Sequence, residues 1–430
     1  MPDRRSFITA ATAGLTTNIF TGQVKGANDK IQAAFIGMGR MGMGNLGHAM
    51  KQENLVPAAV CDVYQPHLDK AVAAADKNPH GSKTRAIRDF REIIADKSID
   101  VVNISTPDHW HAYMTVEACK AGKDVYVEKP ICVTVEEGQL MVKAARKYSR
   151  VVQAGTMQRS QVHYQQLTKL IREGLIGDVT FVRTGNYGYM PPVGIGAPPD
   201  AEPPAGLDWD LWLGPAPKRP YNANRFGVDP KAFSHFRWFW DYAGGMMTDW
   251  GIHLLDIVQM AFDEVMPTVV TAVGQKRYLT DNRETPDTLE AVYEYPKFIA
   301  TYENRYGNNA SPFPYGNTAI HGSKGTLYCD RSGYRVVPMK GSDLVEMDVK
   351  SSGSGNDAHW KNFLDCVKSR QKPISDIENC YRSSATCLLA NVALRSKLRL
   401  DWDDKAGTVA QPDARKYLAA QARNPWKIVV

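Results

Sequence analysis

The chain has 430 residues, of which 43% are hydrophobic, and a formal net charge of +6 from 52 Lys and Arg against 46 Asp and Glu. A chain of this length can bury a large core and is expected to divide into two domains. The charge is too small and too dispersed for nucleic-acid or membrane binding, so we expect neither partner. Seven cysteines without a CxxC spacing predict no zinc or disulfide framework, although an exported protein could oxidise a pair of them.

Residues 1–30 are predicted to be a separate N-terminal segment. Arg4 and Arg5 precede a mildly apolar stretch over residues 7–20, which is too short and too polar to span a bilayer stably. This pattern predicts a twin-arginine export signal and therefore a periplasmic or otherwise exported protein. A disordered tail on a cytoplasmic protein is the alternative.

Residues 31–154 begin with the pattern of a dinucleotide-binding unit. An apolar run is followed by a glycine-rich turn, Gly37-Met38-Gly39-Arg40-Met41-Gly42. Gly37 allows the tight turn, Gly39 lets backbone amides approach a pyrophosphate, and Gly42 lets helix and strand pack closely. About twenty residues later a second apolar run ends on Asp62, which would bind the ribose hydroxyls and favour NAD over NADP. An ordinary α/β unit closed by a glycine turn is the alternative.

The rest of this segment alternates short apolar runs with helical spacing. Strands are predicted over residues 101–104, 124–127 and 151–154, and helices over residues 115–121 and 135–148. This alternation predicts a Rossmann domain with a doubly wound parallel sheet, in which the loops after the strands line the ligand crevice.

Residues 155–430 are predicted to form a second domain on an open, mostly antiparallel sheet. Helices are predicted over residues 163–173, 358–369 and 377–398. Strands are predicted over residues 179–186, 268–276, 288–294, 299–306, 318–321 and 325–329. Residues 187–237 are a Pro- and Gly-rich insertion, predicted to be a long functional loop. Five of the nine tryptophans lie between residues 209 and 250 (Trp209, Trp212, Trp238, Trp240 and Trp250). They are interpreted either as anchors of that loop or as a stacking wall for a sugar.

Polar groups follow two of the predicted parallel strands and should face the cofactor. Thr106, Pro107 and His111 follow the strand over residues 101–104, and Glu128-Lys129-Pro130 follows the next. A lysine held there beside a glutamate and a rigid proline can hydrogen-bond a substrate hydroxyl and bias its deprotonation.

A third group of candidate residues lies in the second domain. Asp249 and His253 are four residues apart, so they share a face if this stretch is helical. A carboxylate beside an imidazole orients the ring and raises its basicity, which is the arrangement of a general base. A metal site formed by Asp249, His253 and Asp256 is the alternative, but such pairs are common without metals, so no metal is predicted.

These motifs, in this order, resemble the Gfo/Idh/MocA family of glucose–fructose oxidoreductase, inositol 2-dehydrogenase and their relatives. The resemblance runs from about residue 31 to the C-terminus and implies a second domain that also mediates oligomerisation, hence a homo-oligomer (dimer or tetramer). It implies that Lys129 is the catalytic lysine, His253 the proton acceptor, and Asp249 its partner and a substrate contact. The cofactor contacts that it implies are Gly37, Met38, Gly39, Arg40, Met41, Gly42, Asp62, Thr106, Pro107, His111, Glu128 and Lys129.

We therefore predict an NAD-dependent oxidoreductase that acts on a ring secondary alcohol of a sugar, glycoside or cyclitol, with a tightly bound cofactor. The predicted substrate contacts are Arg159, Tyr187, Arg237, Trp238, Asp249 and His253. A neutral sugar is favoured because the insertion shows no cluster of basic residues. A redox-assisted glycoside hydrolase of the same fold is the alternative, although the spacing of His253 after the paired glycines favours a dehydrogenase. The intact set of Lys129, Asp249 and His253 argues against a third class, a non-enzymatic cofactor-dependent sensor.

Overall fold

The computed structural model describes residues 30–78, 83–226 and 234–430. The predicted export signal, with Arg4 and Arg5, lies outside the described residues. Within those ranges, no helix combines the length and the apolar character needed to cross a bilayer. All seven cysteines fall inside the described ranges, where each is buried with a free thiol.

The N-terminal domain contains a six-stranded sheet. Its strands are β1 (Ile31–Ile36), β2 (Leu55–Cys61), β3 (Arg85–Ile87), β4 (Val101–Ile104), β5 (Asp124–Val127) and β6 (Val152–Ala154). The helices between them are α1 (Arg40–Ala49), α2 (Gln65–Ala75), α3 (Phe90–Ala95), α4 (Asp108–Lys120) and α5 (Val135–Lys147). The strand order is β3-β2-β1-β4-β5-β6 and every pair is parallel. The predicted Rossmann sheet is confirmed, and its order reverses between β1 and β4, where such folds bind nucleotides.

Helices cover both faces of this sheet because successive side chains of a strand point to opposite sides. On β1, Ala34 and Ile36 pack in one core with residues of α3, α4 and α5. Ala33 and Phe35 pack in a second core with residues of α1 and α2. Because helices cover both faces of the sheet, β1, β4 and β5 are almost completely buried. This burial accounts for the mostly apolar sequences of these strands.

Helix α4 is longer than predicted and begins at Asp108 rather than near residue 115. Pro107 occupies the N-cap, where its missing N–H costs nothing because the first amides of a helix have no intrahelical partner. Asp108 and His111, predicted to lie in a loop, are therefore in the first turn of a helix whose N-terminus faces the crevice.

The C-terminal domain contains many more elements than the N-terminal one. In chain order they are α6 (Val162–Arg172), β7 (Val179–Tyr187), β8 (Asp200–Ala201), α7 (Trp209–Leu213), β9 (Tyr221–Asn222), α8 (Ala223–Phe226), α9 (Gly245–Asp249), α10 (Gly251–Ala261), β10 (Val269–Gln275), β11 (Thr288–Glu294), β12 (Ile299–Arg305), β13 (Thr318–Gly322), β14 (Gly325–Asp330), β15 (Gly333–Pro338), β16 (Met347–Lys350), α11 (Asn356–Ser369), α12 (Ile377–Ser396), β17 (Leu400–Asp403), β18 (Thr408–Val409) and α13 (Pro412–Arg415).

Ten of these strands form one open sheet. Its order is β16-β15-β14-β13-β7-β12-β11-β10-β17-β18, with β7 and β12 parallel and the other described pairs antiparallel. The predicted mostly antiparallel sheet is thus confirmed. One face packs against α6, α10 and α12. The opposite face carries the exposed apolar side chains of Val273, Val292 and Ile299, and the residues paired with Val273 and Ile299 on β11 are Glu290 and Glu294. Val273 is 71% exposed.

The Pro- and Gly-rich insertion contains short helices and a two-stranded ladder rather than an uninterrupted loop. Trp212 and Trp238 are buried in a separate aromatic cluster with Phe239 and Tyr242. The ring of Trp209 stacks on that of Trp212, with centroids 4.6 Å apart. These contacts support the interpretation of Trp209, Trp212 and Trp238 as anchors, whereas Trp240 and Trp250 are only half-buried.

Candidate active site

The glycine-rich turn after β1 has the shape of a dinucleotide cradle. Gly37 adopts φ +84°, and a Cβ on Gly42 would lie 1.9 Å from the carbonyl oxygen of Gly37. A Cβ on Gly39 would meet no described atom within 4 Å. Gly39 is also the N-cap residue of α1, and no described side chain accepts a hydrogen bond from the first amides of this helix. The first amides of α1 therefore face open space, where a pyrophosphate fits. Of the other turn residues, Met38 is buried beneath the cradle, and Arg40 and Met41 are exposed.

Asp62 lies beside this turn at the end of β2. Its carboxylate accepts hydrogen bonds from the backbone N–H groups of Met38 (2.7 Å) and Tyr64 (2.9 Å). Nδ1 of His67 lies 3.5 Å from Oδ2 of the same carboxylate. Because a carboxylate offers about four acceptor positions, acceptor capacity remains for the ribose. The predicted placement of the acid beside the glycine-rich turn is what the structure shows.

The loop after β4 lies directly against the cradle. A Cβ on Gly37 would lie 2.6 Å from the backbone nitrogen of Thr106, so only glycine permits this approach. The hydroxyl of Thr106 is buried and has no hydrogen-bond partner among the described residues. The hydroxyl of Thr106, unpaired in the described chain, lies beside the N-terminus of α1, where a bound nucleotide could accept its hydrogen bond.

His111 connects the two loops that follow β4 and β5. Its ring nitrogens lie 2.7 Å from the carbonyl oxygen of Pro130 and 2.8 Å from that of Thr106. Burial lowers the pKa of His111 to about 4, although both carbonyl contacts oppose this shift. In this arrangement His111 fixes the positions of the loops, and its ring is not presented to the crevice.

Glu128 is held beneath the crevice by a residue that sequence reasoning missed. Asn45 of α1 donates a hydrogen bond to Oε1 of Glu128 at 2.9 Å, and it also donates to the hydroxyl of Ser105. Burial raises the pKa of Glu128, while the hydrogen bond from Asn45 and the charge of Lys129 oppose the shift. Asn45 lies 83 residues from Glu128, and no spacing in the sequence relates the two.

Lys129 reaches from the loop after β5 to the end of α9. Its ammonium nitrogen lies 3.0 Å from Oδ1 of Asp249, and Nε of Arg237 lies 3.2 Å from the same oxygen. Burial alone would raise the pKa of Asp249, but the charges of Arg237 and Lys129 outweigh it and hold that pKa below its ordinary value. Asp249 is therefore an anion between two cations, and three of the predicted site residues are brought together.

The helix predicted to carry both Asp249 and His253 is interrupted. Helix α9 ends at Asp249 and α10 begins at Gly251, with Trp250 between them. The ion pairs of Asp249 in the described chain go to Lys129 and Arg237, and none within 4 Å goes to His253. The carboxylate of Asp249 therefore does not orient the imidazole by a direct contact, although its charge acts to raise the pKa of His253.

His253 lies in the first turn of α10, 7% exposed, with its ring edge-on to Trp250 at 5.8 Å. Its Nδ1 atom is buried and has no hydrogen-bond partner among the described residues. Burial, reinforced by the charges of Lys129 and Arg331, keeps the pKa of His253 well below its ordinary value. The imidazole is neutral at pH 7 and can accept a proton.

Asp108 is a second residue that sequence reasoning did not assign. It is the first residue of α4 and is buried. Burial raises its pKa to about 8; Arg237 and Lys129 oppose this shift, and the carboxylate of Asp249 reinforces it. A carboxyl group that is mostly protonated at pH 7 thus adjoins the Lys129–Asp249–Arg237 group.

Two predicted substrate contacts, Arg159 and Tyr187, are not brought to the crevice, and a third, Trp238, is buried. Arg159 is 2% exposed, and its guanidinium binds the carboxylates of Asp256 (2.7 Å) and Glu264 (2.6 Å). Tyr187 donates to Glu303 on the open face of the ten-stranded sheet, opposite the face that packs against α10. Trp238 is buried beneath Arg283, whose Cζ lies 4.2 Å from its ring centroid.

The alternative metal site is not assembled. Asp256 accepts hydrogen bonds from Arg159 and from the hydroxyl of Ser383, while Asp249 binds Lys129 and Arg237. Among the described residues, no group of three His, Cys, Asp or Glu side chains could hold a metal ion.

Comparison with known proteins agrees with this geometry. The Gfo/Idh/MocA family model of an oxidoreductase NAD-binding Rossmann fold matches residues 31–156. The family's C-terminal alpha/beta domain model matches residues 160–428. The WlbA dehydrogenase of Bordetella pertussis, solved with NADH and UDP-GlcNAcA, superposes with a TM-score of 0.65 over 87% of this chain and 99% of that one, at 19% identity. At this identity the likeness concerns the fold.

Two curated relatives match part of the chain. A glycosyl hydrolase family 109 protein of a Shewanella species is 30% identical over 205 residues, covering 41% of this chain and 44% of the relative. Inositol 2-dehydrogenase of Salmonella paratyphi B is 33% identical over 159 residues, covering 36% of this chain and 46% of the relative. The chain thus spans less than half the length of each of these two relatives.

Proposed function

The chain belongs to the Gfo/Idh/MocA family of oxidoreductases, and we propose that it transfers a hydride between NAD and a ring secondary alcohol of a sugar, glycoside or cyclitol. One observation carries this proposal: the ammonium group of Lys129, at the nucleotide crevice, is bound to Asp249 beside the neutral imidazole of His253. A pure nucleotide-binding module has no use for a lysine and a proton acceptor at that position.

A bound nicotinamide supplies the hydride acceptor. Two contacts to Asp249 leave Lys129 one N–H for the hydroxyl of the substrate, since an ammonium group carries three donors. That hydrogen bond favours the alkoxide, and the neutral ring of His253 accepts the proton. Asp249 stays ionised between Lys129 and Arg237 and holds the ammonium group of Lys129 in place.

A screen for reduced cofactor tests this function. Monosaccharides, cyclitols and glycosides are added to the NAD-loaded protein, and the NADH absorbance is recorded beside the release of a chromogenic aglycone. We expect absorbance to rise with at least one ring alcohol while no aglycone appears.

A redox-assisted glycoside hydrolase is the second candidate. The glycosyl hydrolase family 109 protein of a Shewanella species, 30% identical over 205 residues, favours it. This candidate predicts release of the aglycone without net accumulation of NADH in the same screen, so the two functions give opposite results.

Export through Arg4 and Arg5, with NAD carried along, is part of this proposal. An exported enzyme would meet little free NAD, so we propose a cofactor that co-purifies. A dehydrogenase would recycle it with a second sugar, and a glycoside hydrolase would return it within one catalytic cycle. Replacement of both arginines by lysine preserves the charge but should retain the protein in the cytoplasm, because the signal is read by a receptor. Unchanged periplasmic recovery of that variant would contradict the export route.

We also propose that the protein is a homo-oligomer through the open face of the ten-stranded sheet. Val273, Val292 and Ile299 give that face an apolar patch, and a solvent-exposed patch of this kind often marks an interface. Val273→Glu should shift the mass measured by light scattering toward the monomer. A monomeric wild-type protein would overturn this assembly.

A further inference from the structure

Arg331 projects from the turn between β14 and β15 and is solvent-exposed. Its Nε atom donates to Oε1 of Gln158 at 3.0 Å, and its Cζ atom lies 4.9 Å above the ring centroid of Trp250. No carboxylate lies within 4 Å of its guanidinium in the described chain, where most other arginines near the sheet have such a partner. The side chain is thus fixed in orientation but not neutralised.

The two residues that hold Arg331 also contact the proposed proton acceptor. Gln158 is buried and donates from Nε2 to the backbone carbonyl of His253 at 3.1 Å. Trp250 meets the ring of His253 edge-on. The guanidinium is therefore held beside His253, on the side of the crevice formed by the C-terminal domain.

The charges around the crevice are unbalanced. Lys129, Arg237 and Arg331 are cationic, whereas the carboxylates beside them are Asp249, which is bound to the first two, and Glu128, which lies beneath the crevice. The carboxyl of Asp108 does not compensate at pH 7, because its pKa is raised to about 8 by burial. An anionic group entering the crevice would complete the balance.

We propose that Arg331 binds a carboxylate carried by the sugar, so that the substrate is an acidic sugar of the uronic acid type. With Nε bound to Gln158, four N–H donors remain on a planar guanidinium that matches a carboxylate in a two-pronged arrangement. A single cation suits one negative charge better than the double charge of a phosphate. This inference rests on the proposed function and replaces the neutral sugar expected from residues 187–237, because Arg331 lies outside that segment.

Binding and turnover measured on the same panel test the inference. Glucuronate, galacturonate and mannuronate are each compared with the matching neutral hexose and with its 6-phosphate. Calorimetry on the NAD-loaded protein measures binding, and NADH absorbance measures turnover. The variants are Arg331→Ala and Arg331→Lys, with Arg399→Ala as the control, since Arg399 is an exposed arginine near the opposite edge of the sheet.

We expect at least one uronate to bind more tightly than its neutral partner. Arg331→Ala should weaken that binding by about 10- to 100-fold, the range for a hydrogen bond to a charged group, and raise KM rather than lower kcat. Arg331→Lys should recover part of the loss, because it restores the charge without the planar pair of donors. Arg399→Ala should change neither quantity.

The outcomes separate this inference from the proposed function. Neutral hexoses that reduce the cofactor as well as the uronates do, with KM unchanged in Arg331→Ala, would overturn the inference and leave the function standing. Preference for the 6-phosphates, or no binding by any uronate, would also overturn it. Arg331-dependent uronate binding without NADH formation would support the inference and contradict the function.

Discussion

The ammonium group of Lys129 lies 3.1 Å from the backbone carbonyl oxygen of Asp249 and 3.0 Å from its side-chain Oδ1, so it donates two hydrogen bonds to one residue. Lys129 follows β5 of the Rossmann domain, whereas Asp249 ends α9 of the C-terminal domain. The contact therefore joins the nucleotide crevice to the element that precedes His253, and it fixes the direction of the remaining N–H of the lysine.

Removal of His253 or Lys129 should abolish most of the turnover but not the binding of NAD. We expect His253→Ala to lower kcat by ~10²–10⁴, the usual contribution of a general base, and Lys129→Ala to lower it as well. Lys143→Ala is the control, because Lys143 is exposed on α5 of the same domain. Near-wild-type turnover in either site variant, when chemistry limits the rate, would show that the residue has no part in proton transfer.

Asp62 should set the preference for NAD. Asp62→Ala is expected to weaken NAD binding by about 1–2 kcal/mol, because its charge-assisted bonds to the ribose hydroxyls are lost. Calorimetry with NAD and NADP on the wild type and the variant measures this effect. If the wild type binds NADP as tightly as NAD, Asp62 does not face the ribose.

Arg159 should be essential for stability and not for substrate binding. Arg159→Ala would leave the carboxylate of Asp256, which is 1% exposed, without its cation, and breaking a buried pair in this way costs about 3–5 kcal/mol. The solvent-screened Arg335–Glu346 pair is a matched control, and its loss should leave the melting temperature nearly unchanged. Thermal melting measures both changes. An unchanged melting temperature with a tenfold higher KM would instead make Arg159 a substrate contact.

Asp108 should make the stability of the wild type fall as the pH rises from about 4 to 8. Burial raises the pKa of Asp108 to about 8 in the folded state, whereas an unfolded aspartate titrates near about 3.9. The folded chain keeps a proton that the unfolded chain releases in this window, which removes about 1 kcal/mol of stability per pH unit. Asp108→Asn keeps a neutral group, so its stability relative to the wild type should increase toward pH 8. Parallel pH profiles of melting temperature would contradict this.

The elements that sequence predicted well are those with a local signal. The strands β4, β5 and β11 begin and end at the predicted residues. β4 and β5 are short, fully buried and mostly apolar, whereas β11 alternates apolar and polar residues. The sequence did not predict that the helix is interrupted at Trp250. Asp249 and His253 are four residues apart, as in an unbroken helix, although the first ends α9 and the second lies in α10.

The misplaced candidates depend on long-range packing. Whether Tyr187 faces α10 or the open side depends on which face of β7 is covered, and strand alternation alone cannot decide that. Arg159 meets its partners Asp256 and Glu264 about 100 residues later in the chain, and Asp108 owes its raised pKa to burial that the tertiary fold creates. Motif order identified Lys129 and Asp249 because the family's chemistry fixes their types, not because their contact is visible in the sequence.

A carbon-deuterated sugar tests hydride transfer most directly. The most active sugar of the screen, prepared with deuterium on every carbon, is mixed with the NAD-loaded protein, and the released nicotinamide cofactor is analysed by mass spectrometry as the NADH band forms. We predict reduced cofactor that has gained one deuterium, with the sugar oxidised at one ring carbon and no glycosidic bond broken. Cofactor that stays oxidised and free of deuterium while an aglycone is released would contradict a dehydrogenase and favour the glycoside hydrolase.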